Sequence, residues 1–264
     1  MNKKIDISDG FLASFQPLKK EPEKRTIHLR ILIVCEGKKT EPNYFRALIN
    51  HVNKNGVYVV DTDENSITVT IDGTYEGDGE NTKSVIKTAL KLKDKEEMAG
   101  NSYDCVWVVF DRDSFPKEKF NTAIAMASQH NLRCAYSNEA FELWYLFHFV
   151  NRVTAMSRKE YEKAIENQIN AFADVKKKKD VDLCKQYKKD FPSGYHYKKN
   201  DPKTFEYVTK YGSMEQAIKW TKQQQSVWTD KRYSEHNPTT LVYELVEMLL
   251  GRDKEFNEQL ADKL

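Results

Sequence analysis

Apolar and polar positions divide this chain into two textures. Between residues 31 and 137, short unbroken apolar runs alternate with stretches whose apolar residues recur at helical spacing. "ILIVCEG" (31–37) is an apolar run stopped by Glu-Gly, the pattern of a strand buried on both faces. "KTEPNYFRALINHV" then places Pro42 in a first turn and Tyr44, Phe45, Leu48 and Val52 on one stripe, which predicts a helix. "SITVTI" (66–71) alternates and is β-branched, a second strand. "NTKSVIKTALKLKDKEEM" (81–98) carries Val85, Ile86, Ala89, Leu90 and Met98 beneath a basic outer face, a second helix. "YDCVWVVF" (103–110) reads as a third strand, "KEKFNTAIAMASQH" (117–130) as a helix, "LRCAYS" (132–137) as a fourth strand, and "EAFELWYLFHFV" as an aromatic helix. Strands and helices alternating through short connections predict parallel strands joined by right-handed crossovers, hence an open α/β sheet.

After residue 150 the strand-like runs stop. Lysine blocks appear, and helical stretches such as "SRKEYEKAIENQINAF" and "TLVYELVEMLL" take over, the latter preceded by Asn237-Pro238-Thr239 as a stop and cap. Three parts are therefore expected: a polar, lysine-rich arm over 1–26, an α/β domain over 27–150, and a helical, lysine-rich accessory region over 151–264.

Composition changes this picture little. The 264 residues hold 42 basic and 40 acidic side chains, a net charge of +2, so any basic surface must come from segregation along the chain. Cys35, Cys105, Cys134 and Cys184 show no metal-type spacing and read as reduced core residues of a cytoplasmic protein. The N-terminus has no apolar run of signal-peptide length. No stretch reaches the ~18 apolar residues of a membrane span; "FELWYLFHFV" is too short and contains Glu142 and His148. No membrane partner is expected.

The chemistry is in the acids. In an open parallel sheet, ligands lie beyond the carboxyl ends of the strands. Two such ends carry carboxylates: Glu36 after the first strand, and Asp111 and Asp113 after the third, in "VWVVFDRDS". Strand alternation puts Asp111 and Asp113 on one side and Arg112 on the other. Two carboxylates about 4 Å apart repel by roughly 4 kcal/mol at an effective dielectric near 20. A divalent cation between them removes that cost, and all-oxygen sites suit Mg²⁺ or Mn²⁺. The alternative is plain capping, Asp111 of a turn and Asp113 of the next helix. The metal reading requires the tip at 36 to lie beside the pair. It also requires the ground between the acids not to be filled by a lysine or arginine; any catalysis built on the ion falls if it is.

A glutamate closing the first strand and a DxD closing the third resemble the Toprim fold. "VCEGKKTEPNYF", "VVFDRDSF", "SNEAFELWYLFHF" and the late "NPTTLVYELV", in that order over roughly 28–250, are similar to the RloB family, also called AbiLii-like proteins. That resemblance implies a Toprim-type protein of bacterial phage-defence loci, often encoded beside an ABC/AAA-type ATPase. It implies a Toprim-like open, mainly parallel sheet flanked by helices, with a C-terminal helical region. The implied activity is Mg²⁺-dependent (or Mn²⁺-dependent) hydrolysis of phosphodiester bonds in DNA or RNA/tRNA. Glu36, Asp111 and Asp113 would be metal ligands, with Glu36 alternatively a general base. Lys38 or Lys39 would stabilise developing charge, the alternative being a solvated loop lysine. Glu41, Glu139 and Glu142 fall in the shared blocks; Glu142 or Glu139 would complete a second metal site, or Glu139 would simply cap a helix. Where a glycine closely follows the DxD in topoisomerases, Ser114-Phe115-Pro116 stands here, which weighs against strand passage. The alternative is a non-catalytic Toprim-like subunit that binds nucleic acid or the ATPase.

Lys176 to Lys210 holds eleven lysines and five acids. In "YKKDFPSGYHYKKNDPKTF", Lys188, Lys189, Lys198 and Lys199 interleave with Tyr195 and Tyr197, and Lys176 and Lys177 precede them. Cations for phosphates and rings for bases predict a single-stranded nucleic-acid surface; a solvated linker is the competing reading. "GDGENTKS" (77–84) imitates a P-loop, but Thr82 stands where the glycine is needed. The DxD also imitates a haloacid-dehalogenase nucleophile, which expects Thr or Val where Phe115 stands.

Overall fold

The computed structural model describes residues 25–61, 66–77, 82–113, 115–230 and 232–262. Residues 1–24 of the polar arm and 78–81 of the P-loop look-alike lie outside the described residues. Among the described residues five strands form one sheet: β1 (Arg25–Cys35), β2 (Val59–Asp61), β3 (Ser66–Gly77), β4 (Cys105–Asp111) and β5 (Arg133–Ser137), in the order β2-β3-β1-β4-β5. β3, β1, β4 and β5 are parallel, and β2 pairs antiparallel on the outer edge. The α/β class with a mainly parallel open sheet is therefore as the alternation predicts, and it is consistent with a Toprim-like sheet.

Two strand features differ from the reading of the sequence. β1 begins at Arg25, inside the stretch assigned to the arm, because its first half alternates: Leu29 is buried while Thr26 and His28 are exposed. β2 has only three residues and an exposed edge, with Val59 facing solvent and Val60 buried, too short a pattern to stand out.

The pleat sorts the central strands onto two cores. Ile31, Ile33, Trp107 and Val109 face α1 (Thr40–Asn55), which contributes Tyr44, Phe45, Leu48 and Val52. Leu32, Val34, Val108 and Phe110 face α2 (Thr82–Met98) and α3 (Lys117–Gln129), which contribute Val85, Ile86, Phe120 and Ala123. The helix after β1 thus lies on one face and the helix after β4 on the other. Where two neighbouring strands send their chains to opposite faces, a crevice opens at their carboxyl ends. β1 and β4 are such neighbours, and their tips carry Glu36 and Asp111.

The aromatic helix is shorter than its periodicity suggests. α4 (Glu142–Phe147) is six residues, every one buried. Beyond it come α5 (Arg158–Asn170), α6 (Val175–Lys178), α7 (Val181–Asp190), α8 (Thr204–Tyr211), α9 (Met214–Gln225), α10 (Val242–Leu249) and α11 (Lys254–Ala261). The α5 stripe Tyr161, Ile165 and Ile169 is fully buried, each such side chain contributing about 1.5–3 kcal/mol. These helices share one apolar cluster with the β1 face of the sheet. The "NPTT" segment straps the free edge of β5: Leu241 N–H donates to Tyr136 O at 2.8 Å and Asn138 N–H to Thr239 O at 2.8 Å.

Candidate functional site

The tips of β1 and β4 are locked together. Glu36 N–H donates to Val109 O at 2.8 Å, and the Asp111 N–H donates to the Glu36 carboxylate at 3.1 Å. The first condition of the metal reading, adjacency of 36 and 111, holds. The strand ends at Asp111, however, and Asp113 sits in the left-handed region at φ 40°, so a turn rather than strand alternation aims it. That turn is pinned to the loop after β5, with Arg112 N–H on Ser137 O at 2.8 Å and Asp113 N–H on Glu139 O at 3.0 Å.

Around these tips lies a cleft of about 420 Å³. Glu36, Lys38, Lys39 and Glu41 line it from the β1–α1 turn, Asp111 and Asp113 from β4, and Glu142 from the first position of α4. The accessory region supplies Arg158, Lys199 and Asn200. Asn200 ties the lysine loop to α1, its carboxamide oxygen accepting from the Thr40 hydroxyl at 2.8 Å. Gly37 lets the Glu41 carboxylate lie close against the turn; a Cβ there would make that carboxylate shift.

Five carboxylates thus face one small space, with Lys38, Lys39, Arg158 and Lys199 lining it beside them. Burial holds the Asp111 carboxyl well above its ordinary range, with Glu41 and Glu142 adding to the effect. Burial, with Glu142 and Glu36 nearby, pushes Glu41 up to about 7. Glu41 Oε2 is buried with no hydrogen-bond partner, a costly state for a carboxylate oxygen. Glu142 is held from behind by the Tyr197 hydroxyl, which donates to Oε1 at 3.0 Å.

The second condition fails. Arg158, the first residue of α5, puts its guanidinium between the acids: 3.0 Å to Asp111 Oδ2, 3.3 Å to Asp113 Oδ2 and 3.5 Å from Nε to Glu142 Oε2. The last contact is in ion-pair range but is not aligned as a hydrogen bond, since Nε is buried without a partner. Among the described residues, no three His, Cys, Asp or Glu side chains are arranged to hold a metal ion as they stand. The donor set is nevertheless that of a hard divalent cation: all oxygen, one oxygen orphaned, and a guanidinium as stand-in. The chemistry fits the group; the arrangement is closed by Arg158.

Other residues singled out from the sequence scatter. Glu139 does not line the cleft; it sits at φ 78° on the adjoining loop, its carboxyl raised by partial burial and by Asp113. Tyr195 is 3% exposed and packs on Phe191 and Tyr207, so its ring cannot stack on a base. The hydroxyl of Tyr197 is engaged by Glu142, and that residue is better described as a support of the cleft. Both rings were needed by the apolar cluster, which the polar spacing of the segment concealed. Lys176, Lys177, Lys188, Lys189, Lys198 and Lys199 are all exposed, and of these Lys199 reaches the cleft. Arg158 went unread. "SRKE" (157–160) signals a helix start, the Glu160 carboxylate accepting from the Ser157 N–H at 2.8 Å, but only the tertiary fold brings its second residue to the acids.

Fold and site together define an α/β protein with an acidic cleft at the switch point of a parallel sheet, completed by a C-terminal helical region. The chain belongs to the RloB-like protein family, whose profile matches residues 31–249. No curated protein and no solved structure matches it. Among the described residues, no helix is long and apolar enough to cross a membrane.

Proposed function

We propose that this RloB-like protein is a Toprim-type nuclease that hydrolyses phosphodiester bonds of DNA or RNA/tRNA with Mg²⁺ or Mn²⁺. The observation that carries the reading is the gathering of Glu36, Glu41, Asp111, Asp113 and Glu142 around one cleft, with Glu41 Oε2 buried and unpartnered. A fold that needed only stability would not hold five carboxylates there. As the cleft stands Arg158 occupies Asp111 and Asp113, so the reading holds only if that guanidinium leaves; Glu36, Asp111 and Asp113 would then hold the ion, which when bound activates water and polarises the phosphodiester. Lys38 neutralises charge that develops on the phosphoryl oxygens. Glu142, fixed by Tyr197, is the second carboxylate able to take a proton from water. Lys199 and the exposed lysines of the accessory region draw in a polyanion. Control by an ATPase partner and a role in phage defence in the cytoplasm rest on the family resemblance alone.

Arg158 favours a second reading, a non-catalytic subunit that binds nucleic acid or the ATPase, because a guanidinium already stands where the ion would go. The two are separated by incubating pure protein, alone and with an ABC/AAA-type ATPase where one is encoded beside it, with labelled plasmid and total tRNA in Mg²⁺, Mn²⁺ or chelator. The nuclease reading expects metal-dependent cleavage that Glu36→Gln and Asp111→Asn abolish. Cleavage that survives both substitutions removes the assignment, and no cleavage under any condition leaves the binding subunit.

A further inference from the structure

We propose that Arg158 is the resident counter-cation of the acidic cleft, and that a divalent cation enters only by displacing its guanidinium. The proposal rests on reading the cleft as a cation site and says how that site is kept closed.

The position of Arg158 is set by the acids, not by its helix. It is the first residue of α5, where the unpaired N–H groups make the helix end positive and a cation is locally unfavourable by about 0.3–1 kcal/mol. Its contacts come from two segments distant in sequence, the tip of β4 with the turn that follows it (Asp111 and Asp113) and the start of α4 (Glu142). One monovalent group therefore spans the ground on which carboxylates of both segments converge.

The fit is incomplete in two ways, and both make it exchangeable. Nε has no aligned acceptor, and Glu41 Oε2 remains without a partner while Arg158 is in place. Arg158 meets three carboxylates with one charge; an ion of twice the charge answers the same oxygens better. The exit is open as well. The Arg158 side chain is 26% exposed, against 2% for Glu142, and Glu142 stays anchored by Tyr197 when the guanidinium leaves. A released guanidinium remains at a cleft also lined by Lys38 and Lys199, where a planar fork suits a phosphate.

The test is a titration of Mn²⁺ alone, without nucleic acid, into the full-length wild type, Arg158→Gln and Arg158→Lys, read by calorimetry and by the Mn²⁺ paramagnetic signal. Competition predicts that Arg158→Gln binds Mn²⁺ about tenfold more tightly than wild type, or better, a difference of about 1.4 kcal/mol. Arg158→Lys, which keeps the charge but loses the fork, should fall between them. A dissociation constant for Arg158→Gln equal to or weaker than wild type overturns the proposal. If Arg158→Gln fails to fold in chelator, Mn²⁺ should restore its circular dichroism; if it does not, the comparison of Arg158→Lys with wild type decides in the same way. Tighter Mn²⁺ binding with no cleavage by any variant leaves the exchange standing and removes the nuclease. Cleavage by wild type with unchanged Mn²⁺ affinity in Arg158→Gln does the reverse.

Discussion

The two ends of the sheet hold clefts of similar size but opposite character. At the amino ends of β4 and β5, a cleft of about 470 Å³ is lined by Lys93 and Arg133 together with Asp104, Asp253 and Glu255. Arg133 meets Asp253 at 2.7 Å and lies 4.4 Å over the Trp107 ring; nearby, Arg30 meets Glu96 at 3.0 Å and lies 4.9 Å over Tyr103. At the carboxyl ends, the cleft of about 420 Å³ gathers five carboxylates, of which Arg158 spans three. Volume does not tell these clefts apart. The pairing of charges does: at the amino ends Arg133 has its own acid in Asp253, whereas at the carboxyl ends one guanidinium is shared by three carboxylates and Glu41 Oε2 has no hydrogen-bond partner.

The largest effect that would sharpen this contrast is on catalysis. Asp111→Asn should lower metal-dependent cleavage on the order of a thousandfold. Asp253→Ala, at the amino ends and with no part in the acidic cleft, should leave it within about twofold. Equal losses in a gel assay would break the comparison.

His148 offers a third kind of buried ionisable group, kept harmless by staying neutral. It is 2% exposed, and its Nδ1 lies 3.0 Å from Trp144 O, so Nδ1–H donates and Nε2 is left as a bare, buried acceptor. Burial lowers its pKa to about 4. Between the ordinary histidine value and about 4 the unfolded chain binds the proton and the folded one does not. Stability is therefore present at pH 7 and lost as pH falls through that window, by about 3 kcal/mol for a shift of this size. Urea unfolding at pH 7 and pH 4.5 measures it, and His148→Gln should flatten the dependence.

A smaller effect reverses sign between the two ends. In chelator at pH 8, Glu41→Gln should stabilise the protein by on the order of 1 kcal/mol, because it removes a buried charge from a cluster of like charges. Asp253→Ala should destabilise by about 1–2 kcal/mol, since Asp253 both pairs with Arg133 and accepts from the Phe256 N–H to cap α11. Urea midpoints of the two variants give the signs. The smallest effect lies on the accessory region: reversing Lys198 and Lys199 should weaken nucleic-acid binding and reduce its salt slope by about 0.7 for each single-strand phosphate no longer neutralised. An unchanged slope would return that segment to a solvated linker.

Much of this architecture was legible because buried parallel strands announce themselves as unbroken apolar runs. "ILIVCEG" and "YDCVWVVF" placed β1 and β4, and with them the acids at their ends. Glu41 was legible only as a member of a shared block, and Glu142 also as an acid following the fourth strand, since nothing local says that a helix-start glutamate is buried. Tyr195 misled because its neighbours in sequence are lysines while its neighbours in space are rings. Arg158 was beyond reach for a related reason. Its local context is an ordinary helix start, 45 residues past the DxD, and its meaning arises only where two distant segments converge on it.

The central claim is that the acidic cleft is unfinished without a divalent cation, and thermal unfolding of the full chain tests it most directly. Wild type should gain thermal stability in Mg²⁺ over NaCl of equal ionic strength, because a cation that binds only the folded state stabilises it by mass action. Asp253→Ala should gain as much from its own lower baseline, and Asp111→Asn little or nothing. A wild type indifferent to Mg²⁺, or an Asp111→Asn variant that gains as much as wild type, would contradict the account.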